Sequence, residues 1–488
     1  RSCFDILFLE HCRSETVPHF GSTCARALKR VLTFGLAYDP FRRSAAIIRT
    51  QRFGAIKARA ANKIAMRVSA SHRLRVNSRW NLNFICAFFF MIDPATQFLI
   101  QAEDIPKQPE DVRRWHGLQG AAFALAIHET ALAENRCILI IAEHSQSAQR
   151  LQQELAFFSG GAYPIDIFPD YETLIYDGFS PHQDILSDRL ALLSRAALDR
   201  AVVIVPAATL LLRLPPRAFL LGHNLRLQTG QRLDLSTLRR QLHASAYRAV
   251  DTVIEHGEFT VRGSVLDLFP MGTANPFRVE LFDDEIESIR TFDPETQLST
   301  GITDAIDTLP AREFPLSKEG IRLFQDQWHE QFGGNPRDCR MYQDVAQGQA
   351  PAGIEYYLPL FYTETETLLN YLPADLLLIT EAIANPIQSY WETAKSRYES
   401  LRYDLERPIL PPEALLLAED ELMGLLKAFP RLDRLDTFRK GARTFDTLPA
   451  PDLGIEDRAA DPFHRLRTHL ATQDARILIS AETPGRRE

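Results

Sequence analysis

Cysteine and long apolar runs are scarce in this 488-residue sequence, and each scarcity excludes a class of protein. The six cysteines include no CxxC pair, and Cys137 and Cys339 stand alone, so neither a zinc site nor a disulfide framework is predicted. The apolar run Phe84–Met91 is much shorter than the ~20 residues that span a bilayer, and it lies too deep in the chain for a signal peptide. We therefore expect a soluble protein of the reducing cytoplasm, without a membrane partner.

Positive charge is concentrated in the first 90 residues. They carry 16 Lys and Arg against 4 Asp and Glu, whereas the whole chain has a net charge of −8. We interpret residues 1–90 as a doubtful extension upstream of a native start at Met91; a basic amphipathic targeting arm is the alternative. The rest is long enough, and with the whole chain 45% hydrophobic it is apolar enough, to bury the cores of several domains.

Residues 91–224 alternate helical patterns with short apolar strands. The runs "CILIIAE" (137–143) and "AVVIV" (201–205) are typical of buried strands, and helical patterns flank both. Between them, Ser180 is the predicted N-cap of a helix with Pro181 at its first position. Strands that alternate with helices at this spacing predict a parallel α/β sheet.

The pattern changes at residue 225, and four further segments are predicted from there. Residues 225–310 form a small inserted α+β domain, in which Ser236 opens a short helix before a series of strands. Residues 311–432 return to the α/β domain and contain the strand "DLLLIT" (375–380). Residues 433–460 are predicted as a polar linker, and residues 461–488 as the start of a further, truncated small α/β domain.

A working ATP site is missing from the sequence. Such a site needs GxxxxGK[ST], because backbone amides cradle the phosphates, the Lys neutralises them and the hydroxyl binds Mg²⁺. Here Gly117 and Gly120 are followed by Ala121, and no GxxxxGK[ST] occurs elsewhere in the chain. The strand "DLLLIT" ends in Thr380 and Glu381, where a Mg²⁺-binding strand would carry Asp before Glu. Two ordinary α/β elements and a degenerate ATPase fold both explain this pattern, and both predict no cofactor and no ATP hydrolysis.

A candidate binding face lies in the inserted domain, on the strands in "FTVRGSVLDLF" (259–269) and "FRVELF" (277–282). Side-chain alternation places Arg262, Arg278 and Phe282 on one outer face, and it places Val265 with Phe259 on the core face. Residues 251–300 carry 11 Asp and Glu against 3 Arg, which repels DNA phosphates and favours a protein partner. The alternative is that Phe282 is tucked into the core.

One acidic run on the same hairpin, residues 283–285, is interpreted as a solvated turn rather than a metal site. The pair His182 and Asp184 is likewise interpreted as capping and surface residues. No Ser/His/Asp or Cys/His nucleophile arrangement was found.

Three segments carry a family resemblance: "YDGFSPHQDILSDRLALL", "YRAVDTVIEHGEFTVRGSVLDLFPMGTANPFRVELFDDEIESIRTFDPETQ" and "PAGIEYYLPLFY". They closely resemble the N-terminal region of the bacterial transcription-repair coupling factors (Mfd). The resemblance is strong over about 110–432 and weaker to 488, and residues 1–90 have no counterpart in it.

The resemblance implies a degenerate RecA/UvrB-like α/β domain interrupted by a domain that recruits UvrA, with Arg262, Arg278 and Phe282 as UvrA contacts. It also implies that the regions that engage RNA polymerase and DNA, including the ATP- and Mg²⁺-dependent translocase motor, lie beyond this chain. UvrB itself is disfavoured, because it needs an intact phosphate loop and a Tyr-rich DNA-clamping hairpin, and the sequence contains neither.

Three functions stay open at this point. The first is a module that recruits a protein partner. The second is an ATP-driven DNA enzyme in its own right, and the third is a module that restrains the motor by packing against it.

Overall fold

A computed structural model of the chain describes residues 6–7, 98–195, 200–222, 224–333, 335–456, 459–473 and 478–479. Two units are distinguished, one of residues 98–449 and one that combines residues 1–97 with 450–488. Apart from the strand Ile6–Leu7, the expectations about residues 1–90 and Met91 lie outside the described residues. None of the helices in these ranges is long and apolar enough to cross a bilayer.

Strands and helices are numbered here in chain order over the described ranges. The strands are β1 (Ile6–Leu7), β2 (Val112–His116), β3 (Ile138–Ala142), β4 (Ile165–Ile167), β5 (Val202–Pro206), β6 (Leu225–Gln228), β7 (Arg248–Ala249), β8 (Glu258–Arg262), β9 (Val265–Leu268), β10 (Phe277–Phe282), β11 (Glu285–Phe292), β12 (Ser299–Thr303), β13 (Ala305–Thr308), β14 (Leu377–Thr380), β15 (Arg431–Leu435), β16 (Arg443–Thr444) and β17 (Leu478–Ile479). The helices are α1 (Ala122–Ala133), α2 (Ser145–Ser159), α3 (Gln183–Leu193), α4 (Arg217–Gly222), α5 (Leu235–Ala244), α6 (Lys318–Gln331), α7 (Arg340–Ala346), α8 (Leu368–Tyr371), α9 (Ala384–Leu401), α10 (Pro412–Leu415), α11 (Glu419–Leu426) and α12 (His464–Thr472). Short 3₁₀ helices cover Ala102–Asp104, Thr209–Leu211, Pro336–Asp338 and Ile354–Phe361.

The larger unit is built on a parallel sheet in the order β16-β2-β15-β14-β3-β5-β4. Alternate residues of its central strands enter two cores, one on each face; Leu139 and Ile141 enter one, whereas Ile138 and Ile140 enter the other. Helices α1 and α2 cover one face, and α3, α9 and α11 cover the other. The predicted parallel α/β fold is confirmed, and coverage on both faces explains why these strands are continuous apolar runs.

Two predicted helix starts are wrong by a few residues. Helix α3 is capped by His182, whose ring nitrogen accepts from the amide of Asp184, while the Ser180 hydroxyl donates to Glu355 instead. Helix α5 is capped by Asp234, which accepts from two amides of the first turn, and Ser236 lies inside the helix. In both cases an acceptor with access to the free amides takes the capping position from the nearest serine.

The first part of the segment 433–460, which was predicted to be a polar linker, contains strands. Strands β15 and β16 take residues 431–435 and 443–444 into the parallel sheet, on either side of β2. In the smaller unit, described by itself, β1 pairs antiparallel with β17, and α12 is its described helix.

The inserted segment forms a six-stranded sheet in the order β12-β11-β10-β9-β8-β7, and β6 and β13 form a separate antiparallel pair. Only β7 and β8 run parallel within this sheet. Its apolar face, including Phe259, Leu268 and Val279, joins the same core as α3 and α9. The insertion is therefore packed against the α/β layer within one unit.

A buried ion pair fixes the point at which the chain returns from the insertion. Glu313 accepts from Arg189 Nε at 2.6 Å and from the Tyr171 hydroxyl at 2.6 Å, and the Arg189 and Glu313 side chains are 0% and 1% exposed. The guanidinium also lies 4.2 Å from the centre of the Phe168 ring. Because each charge has a partner, the return segment can cross the core without an unpaired buried charge.

Candidate interaction face and degenerate nucleotide site

Strand register sorts the side chains of the inserted sheet into two faces. Cross-strand pairing places Thr260, Asp267, Arg278, Arg290 and Ile302 in one row on the face away from the core. The same face carries a second row of Arg262, Val265, Glu280 and Ser288. Arg262 and Arg278 therefore lie on one face, as predicted.

The prediction that Val265 faces the core is wrong. Arg262 and Val265 are direct partners across a two-residue turn at Gly263 and Ser264, so they point to the same face. Gly263 has a φ of +62° in this turn, a conformation that suits glycine. The glycine thus forms the turn, and the strand after it reverses the expected alternation.

Arg262 and Arg278 meet on the buried carboxylate of Asp267, whose side chain is 1% exposed. Arg262 Nη2 donates to Oδ2 at 2.6 Å, and Arg278 donates through Nε to Oδ1 at 2.7 Å and through Nη2 to Oδ2 at 3.0 Å. The hydrogen bonds to Asp267 raise the pKa of Arg278. The Arg262 side chain remains 56% exposed, whereas that of Arg278 is 20% exposed.

Phe282 lies open at the end of β10, with 76% of its surface exposed. Its neighbour Leu281 is buried, so alternation along the strand continues to the tip of the hairpin. The tip is held in place by backbone bonds between residues 230–233 and 284–286, among them Gly230 N to Ile286 O at 2.8 Å. The alternative in which this phenylalanine is tucked into the core is therefore wrong.

The acidic run at the hairpin tip forms a turn. Asp283 has a φ of +56°, and Asp284 forms a 3.8 Å ion pair with Arg232. Over the ranges that the structure describes, no group of three or more His, Cys, Asp or Glu side chains could hold a metal ion.

The loop that would cradle phosphates is closed by the chain's own residues. Gly117 has a φ of +83°, and a Cβ at this position would lie 2.3 Å from the Phe445 carbonyl oxygen. The Thr447 hydroxyl donates to Gly117 O and accepts from the amide of Gln119 at 2.8 Å. The alanine at 121, the N-cap of α1, supplies no side-chain hydrogen bond, and Gly120 has a φ of +53°. The backbone amide of Gln119 in this loop is thus already paired.

The polar side chains at the strand end that would bind Mg²⁺ are also hydrogen-bonded to other residues of the chain. The Thr380 hydroxyl donates to Asp433 Oδ1 at 2.8 Å. Glu381 Oε1 accepts from Arg434 at 2.8 Å, and its Oε2 accepts from the amide of Glu143 at 2.9 Å. The Arg434 guanidinium lies 4.8 Å from the centre of the Phe123 ring in α1. This connection brings Glu381 and the start of α1 together around an arginine instead of a nucleotide.

A cavity of about 420 Å³ lies at the carboxyl ends of β4 and β5, several strands away from Gly117. Its lining includes Asp166, Asp170 and Asp188. Burial raises the pKa of Asp188, and the neighbouring Asp184 raises it further. An acidic lining repels phosphate groups, so this cavity does not replace the missing nucleotide site.

Comparison with known proteins agrees with this geometry. Residues 225–314 match the family model of the UvrB interaction domain. Over 392 residues the chain is 40% identical to the transcription-repair-coupling factor of Haemophilus influenzae (strain ATCC 51907 / DSM 11121 / KW20 / Rd) and 41% identical to that of Escherichia coli (strain K12). The inserted segment thus matches the UvrB interaction domain, and most of the chain is similar to part of each of these two coupling factors. Each match covers 79% of this chain and 34% of the relative, so the chain spans about a third of their length.

A more distant coupling factor, from Bacillus subtilis (strain 168), is 26% identical over 285 residues, which are 55% of this chain and 24% of that protein. The UvrB interaction domain match begins at β6 and ends one residue after Glu313, so it includes the whole inserted sheet and its buried anchor. The predicted insertion, residues 225–310, lies within these bounds.

Two residues of the outer face of the inserted sheet were missed by sequence reasoning. Asp267 carries a signal, because a carboxylate inside the apolar strand "VLDL" has to find a cationic partner. Ile302, which is 81% exposed on the edge strand β12, has no sequence signal that side-chain alternation could detect. The role of Arg262, Arg278 and Phe282 as partner contacts stays a prediction.

Proposed function

We propose that this chain recruits UvrA, and that UvrA binds the face of the inserted sheet that carries Arg262, Arg278 and Phe282. The observation that carries the proposal is the exposed Phe282 on a hairpin tip fixed by backbone bonds, on the same face as the half-exposed Arg262. Aromatic and arginine side chains are enriched among residues that dominate binding energy. The UvrB interaction domain match and the coupling-factor relatives support UvrA as the partner.

The acidic surroundings of this face favour a protein over DNA. Glu280 and Glu285 flank Phe282 on β10 and β11, and residues 251–300 are strongly acidic. A nucleic-acid surface needs basic residues that neutralise phosphates. We therefore assign the face to a protein contact.

The proposal is tested by measuring the Kd of UvrA for the full chain and its variants by surface plasmon resonance. Phe282→Ala is expected to weaken binding about thirtyfold, which corresponds to ~2 kcal/mol at a hot spot. Phe179→Ala, at an equally exposed phenylalanine of the α/β domain, is the matched control and should bind like the unmodified chain. Equal affinity of both variants would overturn the proposal.

In this role the chain brings UvrA to lesions at stalled RNA polymerase, in the cytoplasm, for excision repair. The resemblance assigns contacts with RNA polymerase and DNA, and ATP hydrolysis with Mg²⁺, to other regions of the family. For this chain we propose no cofactor and no ATP turnover, because the loop amide of Gln119 is already bonded to Thr447 and Glu381 is already paired with Arg434.

A further inference from the structure

The guanidinium of Arg278 makes most of its contacts within the inserted domain. Two of its nitrogens bind Asp267, its Nη1 donates to Gln297 O at 3.3 Å, and its guanidinium lies 4.9 Å from the centre of the buried Phe292 ring. With a side chain only 20% exposed, it has little surface left for a partner. Its main contact on this face is the buried Asp267 side chain.

Arg262 has the opposite environment. Its side chain is 56% exposed, and within the described part of the chain its hydrogen bond is the one from Nη2 to Asp267. A long arginine side chain loses much rotamer freedom when it binds, unless a contact has already fixed it. The contact with Asp267 fixes Arg262 while its Nε and Nη1 remain free to donate.

We propose that Asp267 is a positioning residue for partner binding, which holds Arg262 in the orientation that meets an acceptor group, such as a carboxylate, on UvrA. Arg278 supplies the buried Asp267 side chain with a cationic partner through two hydrogen bonds. The inference rests on the proposed function, and it divides the three predicted contacts: Arg262 and Phe282 touch the partner, whereas Arg278 acts through Asp267.

The test is a pair of double-mutant cycles on the Kd of UvrA for the full chain. Asp267→Asn is expected to weaken binding about tenfold, within the range for coupled residues. The double variant with Arg262→Ala should bind no more weakly than Arg262→Ala alone, because the arginine that Asp267 positions is gone. The double variant with Phe282→Ala should show the two losses multiplied, since Phe282 has no bond to Asp267.

Asp307→Asn is the matched control, because Asp307 pairs with Arg226 in the same domain but both side chains are more than half exposed. Thermal unfolding reports whether each variant folds. If Asp267→Asn lowers the unfolding temperature strongly, Asp267→Glu is used, since it keeps the charge and displaces the carboxylate by one methylene. Unchanged affinity of the folded Asp267 variant, or losses that multiply with Arg262→Ala, would overturn the inference. Unchanged affinity of Arg262→Ala and Phe282→Ala would instead overturn the proposed function.

Discussion

At the scale of single residues, the Arg189–Glu313 pair is the clearest example of charge placed in the core. Burial alone would lower the pKa of Arg189, but Glu313 and Tyr171 outweigh it and raise that pKa above its ordinary value. Glu313→Gln is expected to destabilise the chain by about 3–5 kcal/mol, because it leaves a buried guanidinium without a counter-charge. Urea unfolding followed by circular dichroism measures the loss.

The same pair provides its own control. Arg189→Met combined with Glu313→Leu removes both charges and should cost less than Glu313→Gln alone, since an apolar pair carries no desolvation penalty. Asp307→Asn, at an exposed ion pair, should change stability by less than about 0.5 kcal/mol. A double variant less stable than the single one would contradict this account of the pair.

Residue alternation along one strand predicted where Arg262 and Phe282 lie, because alternation is a local property of extended backbone. It could not predict that Arg278 is covered. That outcome depends on Asp267 in the neighbouring strand and on Gln297 beyond the next one, and their approach is set by strand register. The face of Val265 could not be predicted from alternation either, because a two-residue turn at Gly263 and Ser264 interrupts the strand before it.

At the scale of elements, helix α5 depends on a charged cap. Hydrogen bonds from Thr237 and Ser236 lower the pKa of Asp234 to about 2. Because the folded-state pKa is depressed, the stabilisation from this carboxylate is present above its ordinary pKa near 3.8 and is lost as the pH falls through about 2.

Asp234→Asn isolates this effect, because asparagine caps helices about as well as aspartate but does not titrate. The variant is expected to unfold at a lower temperature than the unmodified chain at neutral pH. The two unfolding temperatures should converge as the pH falls from about 4 to about 2. Thermal unfolding followed by circular dichroism across this range measures the difference, and a gap that persists at the acidic end would contradict the role of the charge.

The central strands of the parallel sheet could be predicted from the sequence, whereas the strands at one side of it could not. Strands β3, β5 and β14 are apolar on both faces because both faces are covered. Strands β2 and β15 carry four arginines, and three of them pair with carboxylates: Arg113 with Asp111, Arg431 with Asp433, and Arg434 with Glu381. In each of these two strands one residue is fully buried, Trp115 in β2 and Leu432 in β15. Because the charged residues outnumber these apolar ones, the sequence does not show the apolar pattern of a buried strand.

At the scale of the whole molecule, the two candidate sites differ in whether their polar groups are already used. At the carboxyl edge of the parallel sheet, Arg434 pairs with Glu381, which also accepts from the amide of Glu143, and Thr447 accepts from the amide of Gln119. On the inserted sheet, Arg262 and Phe282 retain exposed surface. Exposed side chains that a partner could contact are therefore present at the inserted sheet, whereas the polar groups of the candidate nucleotide site are paired within the chain.

This difference predicts that the full chain does not hydrolyse ATP, with or without DNA, in a coupled phosphate-release assay. The same result is expected for Ala121→Lys combined with Ala122→Ser, which restores the lysine and hydroxyl of a phosphate loop. The reason is that the loop amide of Gln119 remains bound to Thr447, and Arg434 remains paired with Glu381 over Phe123. DNA-stimulated turnover by the unmodified chain would establish an ATP-driven enzyme instead. Turnover by the double variant alone would show that the missing side chains, rather than the internal pairing, keep the site inactive.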